Sequence, residues 1–210
     1  MLRILIADDH AILRRGLTEI LMRDLDGVAC GEAENAEQAI SQVEHHNWDL
    51  VILDVSMPGR SGIDVLADLK LLQPKLPVLI LSMHSEQQYG RRLLKAGASG
   101  YMNKDSAPEE LIRAIHKVLA GGRYVSPALA ERLVLDLNED AARPPHESLS
   151  DREFEVLLLM ATGRTVSQIA EELHLSLTTI STYRARILEK MNMNTSAELI
   201  HYAVRNDLVE

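Results

Sequence analysis

From the N-terminus, short continuously apolar runs alternate with stretches whose apolar residues recur at i, i+3, i+4 and i+7. The runs are Ile4–Ala7, Val28–Cys30, Leu50–Leu53, Val78–Leu81 and Gly100–Met102. The periodic stretches are Ala11–Arg23, Ala36–His45, Ile63–Leu72, Gln87–Ala96 and Pro108–Ala120. The short runs suit strands buried on both faces, and the 3.6-period stretches suit amphipathic helices. Five strand-then-helix repetitions predict an α/β domain, a five-stranded parallel sheet with helices on both sides. After Gly121 and Gly122 the pattern changes. Ser126–Leu137 predicts one more helix, with Ser126 as N-cap and Pro127 at its first position. The polar stretch Asn138–Glu147, with Pro144 and Pro145, has the composition of a tether. Leu149–Asn206 carries only helical periodicity. The expected organisation is a domain over 1–121, a linker helix and tether over 122–147, and a small all-α domain over 148–210.

A net charge of −9 over 210 residues argues against a protein that coats nucleic acid non-specifically, while leaving room for a small basic face. With 3% aromatic residues, stacking on single strands is not expected. Cys30 is the single cysteine, which excludes an internal disulfide and a cysteine-based zinc site. No apolar run approaches the roughly 20 residues that span a bilayer, so no membrane partner is expected. The opening MLRILIADDH reaches two aspartates too early for a secretory leader, and a cytoplasmic location is the expectation.

In an open parallel sheet, function gathers beyond the carboxyl ends of the strands. Those ends carry Asp8 and Asp9, then Asp54, Ser82 and Lys104. Singly, each has an ordinary reading as a helix cap, a turn residue or a solvated charge. Together, three carboxylates repel unless a cation joins them, and oxygen-only ligands suit Mg2+. A carboxylate can also attack phosphorus to form an aspartyl phosphate, while a metal, a lysine and a hydroxyl stabilise the charge. Asp54 is the expected nucleophile, being on the central strand and followed by a loop, Val55–Gly62, with Pro58 and Gly59. Asp8 and Asp9 would hold the metal, and Lys104 and Ser82 would bind phosphoryl oxygens.

The motifs DDH at 8–10, DVSMPGRSGID at 54–64, LS at 81–82 and KAGASGYMNK at 95–104 resemble the receiver domain of bacterial response regulators. The resemblance implies a flavodoxin-like receiver, with Asp54 as phosphoacceptor and a sensor histidine kinase as partner. It implies that Asp8, Asp9, Asp54 and the backbone carbonyl of Ser56 hold Mg2+, with Asp9 the more direct ligand. It further implies that Ser82 and Tyr101 form a switch, Ser82 moving toward the phosphoryl group and vacating space that Tyr101 fills. Ser56 and His84 match positions flanking the path of the hydrolytic water, so His84 is expected to alter phosphate lifetime.

In the C-terminal segment, Ser150 and Glu153 form a capping-box pattern, and Val166–Leu173 is a short helix. Ser176 then caps a helix reaching Met191, after a brief turn His174–Ser176. That is helix-turn-helix spacing, which a purely packing αα-hairpin would share. On a helical wheel, Ile180, Ile187 and Met191 form an apolar stripe that includes Arg184, expected to pair with Glu153 or Glu155. Ser181, Thr182, Ala185 and Arg186 lie away from it and suit entry into a major groove. Thr178, Thr179 and Lys190 are candidate phosphate contacts. From Ser148 onward there are six Lys/Arg against nine Asp/Glu, so one copy should bind DNA weakly and a homodimer is expected. The stretch from LSDREFEVL to ARILEKMNM is similar to the LuxR-type helix-turn-helix, although Tyr183 stands where many relatives carry histidine. Its pairing with a receiver resembles the NarL/FixJ class. The resemblance implies a phosphorylation-dependent homodimer on double-stranded promoter DNA, with RNA polymerase as a further candidate partner.

Two other readings compete. A phosphatase with an aspartyl-phosphate intermediate would need an acid two residues after the nucleophile, and position 56 is serine. A phospho-dependent protein-binding module would lack DNA contacts. A non-enzymatic regulator is therefore the expectation.

Overall fold

The computed structural model describes all residues except 58–59, 61, 84–85, 139–143, 207 and 210, and all side chains except those and 87–88, 132 and 135–138. The expectations placed on Pro58, Gly59 and His84 lie outside the described residues.

Five parallel strands, β1 (Leu2–Ala7), β2 (Val28–Ala33), β3 (Leu50–Leu53), β4 (Val78–Ser82) and β5 (Gly100–Asn103), form one sheet in the order β2-β1-β3-β4-β5. Between and after them come α1 (Ala11–Asp24), α2 (Ala36–His45), α3 (Gly62–Leu72), α4 (Glu86–Lys95), α5 (Pro108–Leu119) and α6 (Pro127–Asn138). This is the flavodoxin-like strand order, whose switch point lies between β1 and β3. Strand alternation divides the apolar residues between two faces. Ile4, Ile6, Ile52, Leu79 and Leu81 pack with Leu17 and Leu21 of α1 and Leu111, Ile115 and Val118 of α5. Leu5, Val51, Leu53 and Ile80, also buried, take the other face. The register sets Ala7 opposite Leu53 and Ser82 opposite Asn103, so Asp8, Asp54, Ser82 and Lys104 emerge at one end.

The outer edge of β5 is covered by the chain's own continuation. The Tyr124 N–H donates to Ser99 O at 3.0 Å, and the Tyr101 N–H donates to Tyr124 O at 2.9 Å. Ser126 then caps α6 through the Leu129 N–H and donates to the Glu86 carboxylate of α4. Leu129 is buried against Gly90. These contacts extend the first compact unit to Asp136, and the second comprises Leu137–Glu210.

In the second unit, a 3-10 turn at Pro145–Ser148 precedes α7 (Asp151–Ala161), α8 (Val166–Glu172), α9 (Leu177–Lys190) and α10 (Ser196–Arg205). The turn occupies the end of the stretch with tether composition, and it is ordered by His146, whose Nδ1 lies 2.7 Å from the Tyr202 hydroxyl. Reciprocal capping boxes start α7 at Ser150 and α8 at Thr165, while Ser176 and Thr195 cap α9 and α10. Phe154, Leu157, Ile169, Ile180, Ile187 and Leu199 fill the core.

Gly100 is required by the covered edge. A Cβ there would stand 2.8 Å from Tyr124 O and 2.9 Å from Leu79 Cδ1, backbone on one side and core on the other. Gly100→Ala is expected to destabilise the first unit by about 1–3 kcal/mol, read from urea unfolding followed by Trp48 fluorescence.

Candidate functional site

Lys104, one residue beyond β5, reaches back across the strand ends. Its Nζ lies 2.6 Å from Asp8 Oδ2 and 2.7 Å from Asp54 Oδ2, and all three side chains are at least 95% buried. Burial pushes the Asp54 carboxyl above the ordinary carboxylate range, against the opposing hydrogen bonds from Lys104 and the Ser56 N–H. Burial also disfavours charge on Lys104, but its bonds to Asp54 and Asp8 outweigh that and hold the ammonium above its ordinary value. The Ser56 N–H donates to Asp54 Oδ1 at 3.0 Å, at the exposed start of the loop.

Asp9 joins this group from β1's end. Its Oδ1 is buried and receives no hydrogen bond among the described residues. One ligand atom from each of Asp8, Asp9, His10 and Asp54 falls within a 4.8 Å cluster. A buried acceptor without a donor, beside two further carboxylates, is what a divalent cation would satisfy, so these residues fit the expected metal.

Ser82 is fully buried as the last residue of β4, and Tyr101 is only 1% exposed. Burial raises the phenol far above its ordinary range, while a hydrogen bond from Ser82 partly offsets this. Without a phosphoryl group on Asp54 the Tyr101 ring lies inward, where a buried phenol needs a partner and Ser82 supplies it.

Two residues at this site escape the sequence reading. Arg14 is buried in α1, and its Nη1 donates to Asp8 O at 2.7 Å while Nε donates to Glu32 at 3.0 Å. A cation in one stripe with Leu17 and Leu21 was the available signal. His10 Nδ1 lies 2.9 Å from Asp9 Oδ1, and only its adjacency to the acidic pair marks it in the sequence.

In the second unit, α8 and α9 meet at a turn where His174 takes a left-handed conformation, φ 52°. Ile180, Ile187 and Met191 are buried as the wheel predicts. Thr178, Ser181, Thr182, Ala185 and Arg186 are exposed, and Thr179 is half-buried. The Ser181 and Thr182 hydroxyls each donate to the carbonyl four residues back, at 2.9 Å. That fixes their protons and leaves their lone pairs outward.

Arg184 departs from expectation. Arg184 is exposed, and its Nε donates to Ser196 Oγ at 2.8 Å instead of pairing with Glu153 or Glu155. Glu155 is taken by Arg152 at 2.6 Å, and Glu153 by Lys190 at 2.7 Å. Both acids begin α7, where nearer or more flexible cations reach them first. Lys190 therefore ties α9 to α7, and this bond competes with any phosphate contact.

Burial alone would raise the Glu153 carboxyl, but hydrogen bonds from Lys190 and Ser150 hold it below its ordinary 4.5. The stability it contributes is complete above that value and is lost as pH falls through the lower folded value. Glu153→Gln is expected to cost about 1–3 kcal/mol, read as faster amide exchange in α7 and α9.

Residues 4–116 match the family described as Response regulator receiver domain, and residues 147–203 match Bacterial regulatory proteins, luxR family. Response regulator GacA of Pseudomonas aeruginosa is 36% identical, the alignment covering 100% of this chain and 99% of that protein. Response regulator UvrY of Escherichia coli is 33% identical, over 99% and 96%. A solved structure of RcsB from Salmonella enterica serovar Typhimurium, bound to promoter rprA in the presence of the phosphomimetic BeF3-, matches with a TM-score of 0.65 and 27% identity. That match covers 97% of this chain and 99% of the other.

Proposed function

The chain belongs to the NarL/FixJ-class response regulators, non-enzymatic DNA-binding transcription factors, and from that premise we propose that a partner histidine kinase phosphorylates it on Asp54. The observation that carries the proposal is the buried Lys104 ammonium between Asp54 and Asp8, beside an Asp9 oxygen without a donor. A carboxylate that receives a phosphoryl group gains about −1 further charge or more, and Lys104 is in place to neutralise it. Asp8, Asp9, Asp54 and the Ser56 carbonyl would hold Mg2+, which supplies the remaining countercharge when bound.

Ser82 has one hydroxyl proton and two candidate acceptors. Donating to Tyr101 keeps the ring as it is; donating to a phosphoryl oxygen on Asp54 frees the phenol to find another partner. Tyr101 then becomes the sensor of that exchange, and Tyr124 and α4 are its neighbours. Each outcome biases a two-state face instead of creating a new one.

The output is proposed to be sequence-specific binding of double-stranded promoter DNA by a homodimer, two copies offsetting the acidic balance of the second unit. Ser181, Thr182, Ala185 and Arg186 would face base edges, and Thr178 and Thr179 phosphates. Lys190 would reach a phosphate only by leaving Glu153.

Incubation with Mg2+ and acetyl phosphate is expected to strengthen binding to a genomic target, and Asp54→Asn to abolish that gain while leaving basal binding intact. Equal enhancement in Asp54→Asn would rule Asp54 out. On the same target, Arg186→Ala should cost about 1–3 kcal/mol and relax preference at one base position, whereas Thr178→Ala should weaken all sequences alike. Binding isotherms on a panel of single-base variants distinguish the two patterns.

A further inference from the structure

The acidic pocket holds one nitrogen that the phosphorylation reading leaves idle. His10 precedes α1 with its ring 65% exposed at the mouth of the pocket. Its own backbone N–H donates to Asp8 Oδ1 at 2.8 Å, a tight turn that folds the residue back over the carboxylates. Nδ1 thereby hydrogen-bonds Asp8 Oδ1 at 3.2 Å, a bond an ion would replace, and comes 2.9 Å from Asp9 Oδ1. Lys104 occupies the other Asp8 oxygen and one Asp54 oxygen. The oxygens left facing the imidazole are thus those the lysine does not use.

The contact with Asp9 is close but is not a hydrogen bond. Asp9 Oδ1 receives none, although His10 Nδ1 is only 2.9 Å away. Two atoms at that separation without donor–acceptor alignment are spaced like neighbouring ligands of one ion. Adjacent ligands around a divalent ion bonded at about 2.1 Å lie about 3 Å apart, and opposite ones about 4.2 Å. The four candidate ligand atoms, including one from Asp54, all lie within 4.8 Å of one another.

We propose that His10 Nδ1 is a ligand of the divalent ion in this pocket, and that the pocket consequently favours a first-row transition ion such as Mn2+ over Mg2+. The inference rests on the metal-binding part of the reading above. Carboxylates and a carbonyl alone form an oxygen-only site suited to Mg2+. An imidazole adds a donor that Mg2+ uses poorly and that Mn2+ and the later ions of the Irving–Williams series use well. The ring's exposure also means that it can adjust to an ion without repacking the core.

The test uses the full chain without phosphodonor, at a pH where imidazole is neutral. Mn2+ affinity is measured by electron paramagnetic resonance titration, Mg2+ affinity by competition, and nitrogen coordination by electron spin-echo modulation. Wild type is expected to show imidazole nitrogen modulation on bound Mn2+, and His10→Ala to lose it. His10→Ala should weaken Mn2+ by at least the roughly tenfold that even an outer-shell partner is worth. Its effect on Mg2+ should stay within about twofold, and Asp9→Asn should weaken both ions. Bound Mn2+ without nitrogen modulation, unchanged Mn2+ affinity in His10→Ala, or equal weakening of both ions in that variant overturns the role of His10. If Asp9→Asn still weakens both ions in that case, the pocket's metal reading stands. If neither ion binds, or Asp9→Asn changes neither, both readings fall together.

Discussion

A buried ammonium between two buried carboxylates organises the receiver. Lys104, Asp8 and Asp54 are each removed from water, and any one of them alone would be an uncompensated charge in the interior. Their mutual bonds make the arrangement tolerable, and their positions require β1 and β3 to end side by side while Lys104 reaches back from β5, two strands beyond β3. The parallel register supplies that by pairing Ala7 with Leu53. Arg14 holds the Asp8 carbonyl from the other side and is itself anchored to Glu32, which follows Gly31 in β2. The sheet order and the site are thus two descriptions of one electrostatic constraint.

Much of this was legible in the sequence because parallel strands buried on both faces leave an unbroken apolar signature. All five strands and their helices fall where the periodicity places them, and the acidic constellation follows from reading the strand ends. Less legible were contacts between residues whose sequence neighbours say nothing about them. Tyr101 bonding inward to Ser82 depends on a rotamer, which no periodicity encodes. Arg184 is expected to pair with Glu153 or Glu155 because the wheel places it in the apolar stripe. The stripe does not reveal that Lys190, six residues on, has the flexible reach to take Glu153 first.

The second unit works by a different economy of charge. Its three short connections each end in a cap, at Thr165, Ser176 and Thr195, and its core is aliphatic around Phe154. The acids at the start of α7 serve its own packing, with Glu153 capping Ser150 and binding Lys190. An acidic overall balance therefore does not make every face of the unit acidic. Glu153 is buried, while the exposed side of α9 carries hydroxyls, a small residue and Arg186.

The strip of backbone at Tyr124 has a consequence for how the chain must be made. An edge strand with open N–H and C=O groups is a template for another chain, and β5 is such a strand until residue 124 arrives to pair with it. A chain ending near residue 121 would contain every strand and every helix from α1 to α5, yet expose that edge. During synthesis the same species exists briefly, with the sheet complete but one margin unsealed. The open margin of the sheet is thus sealed not by the last element of the α/β pattern, but by the first few residues after it.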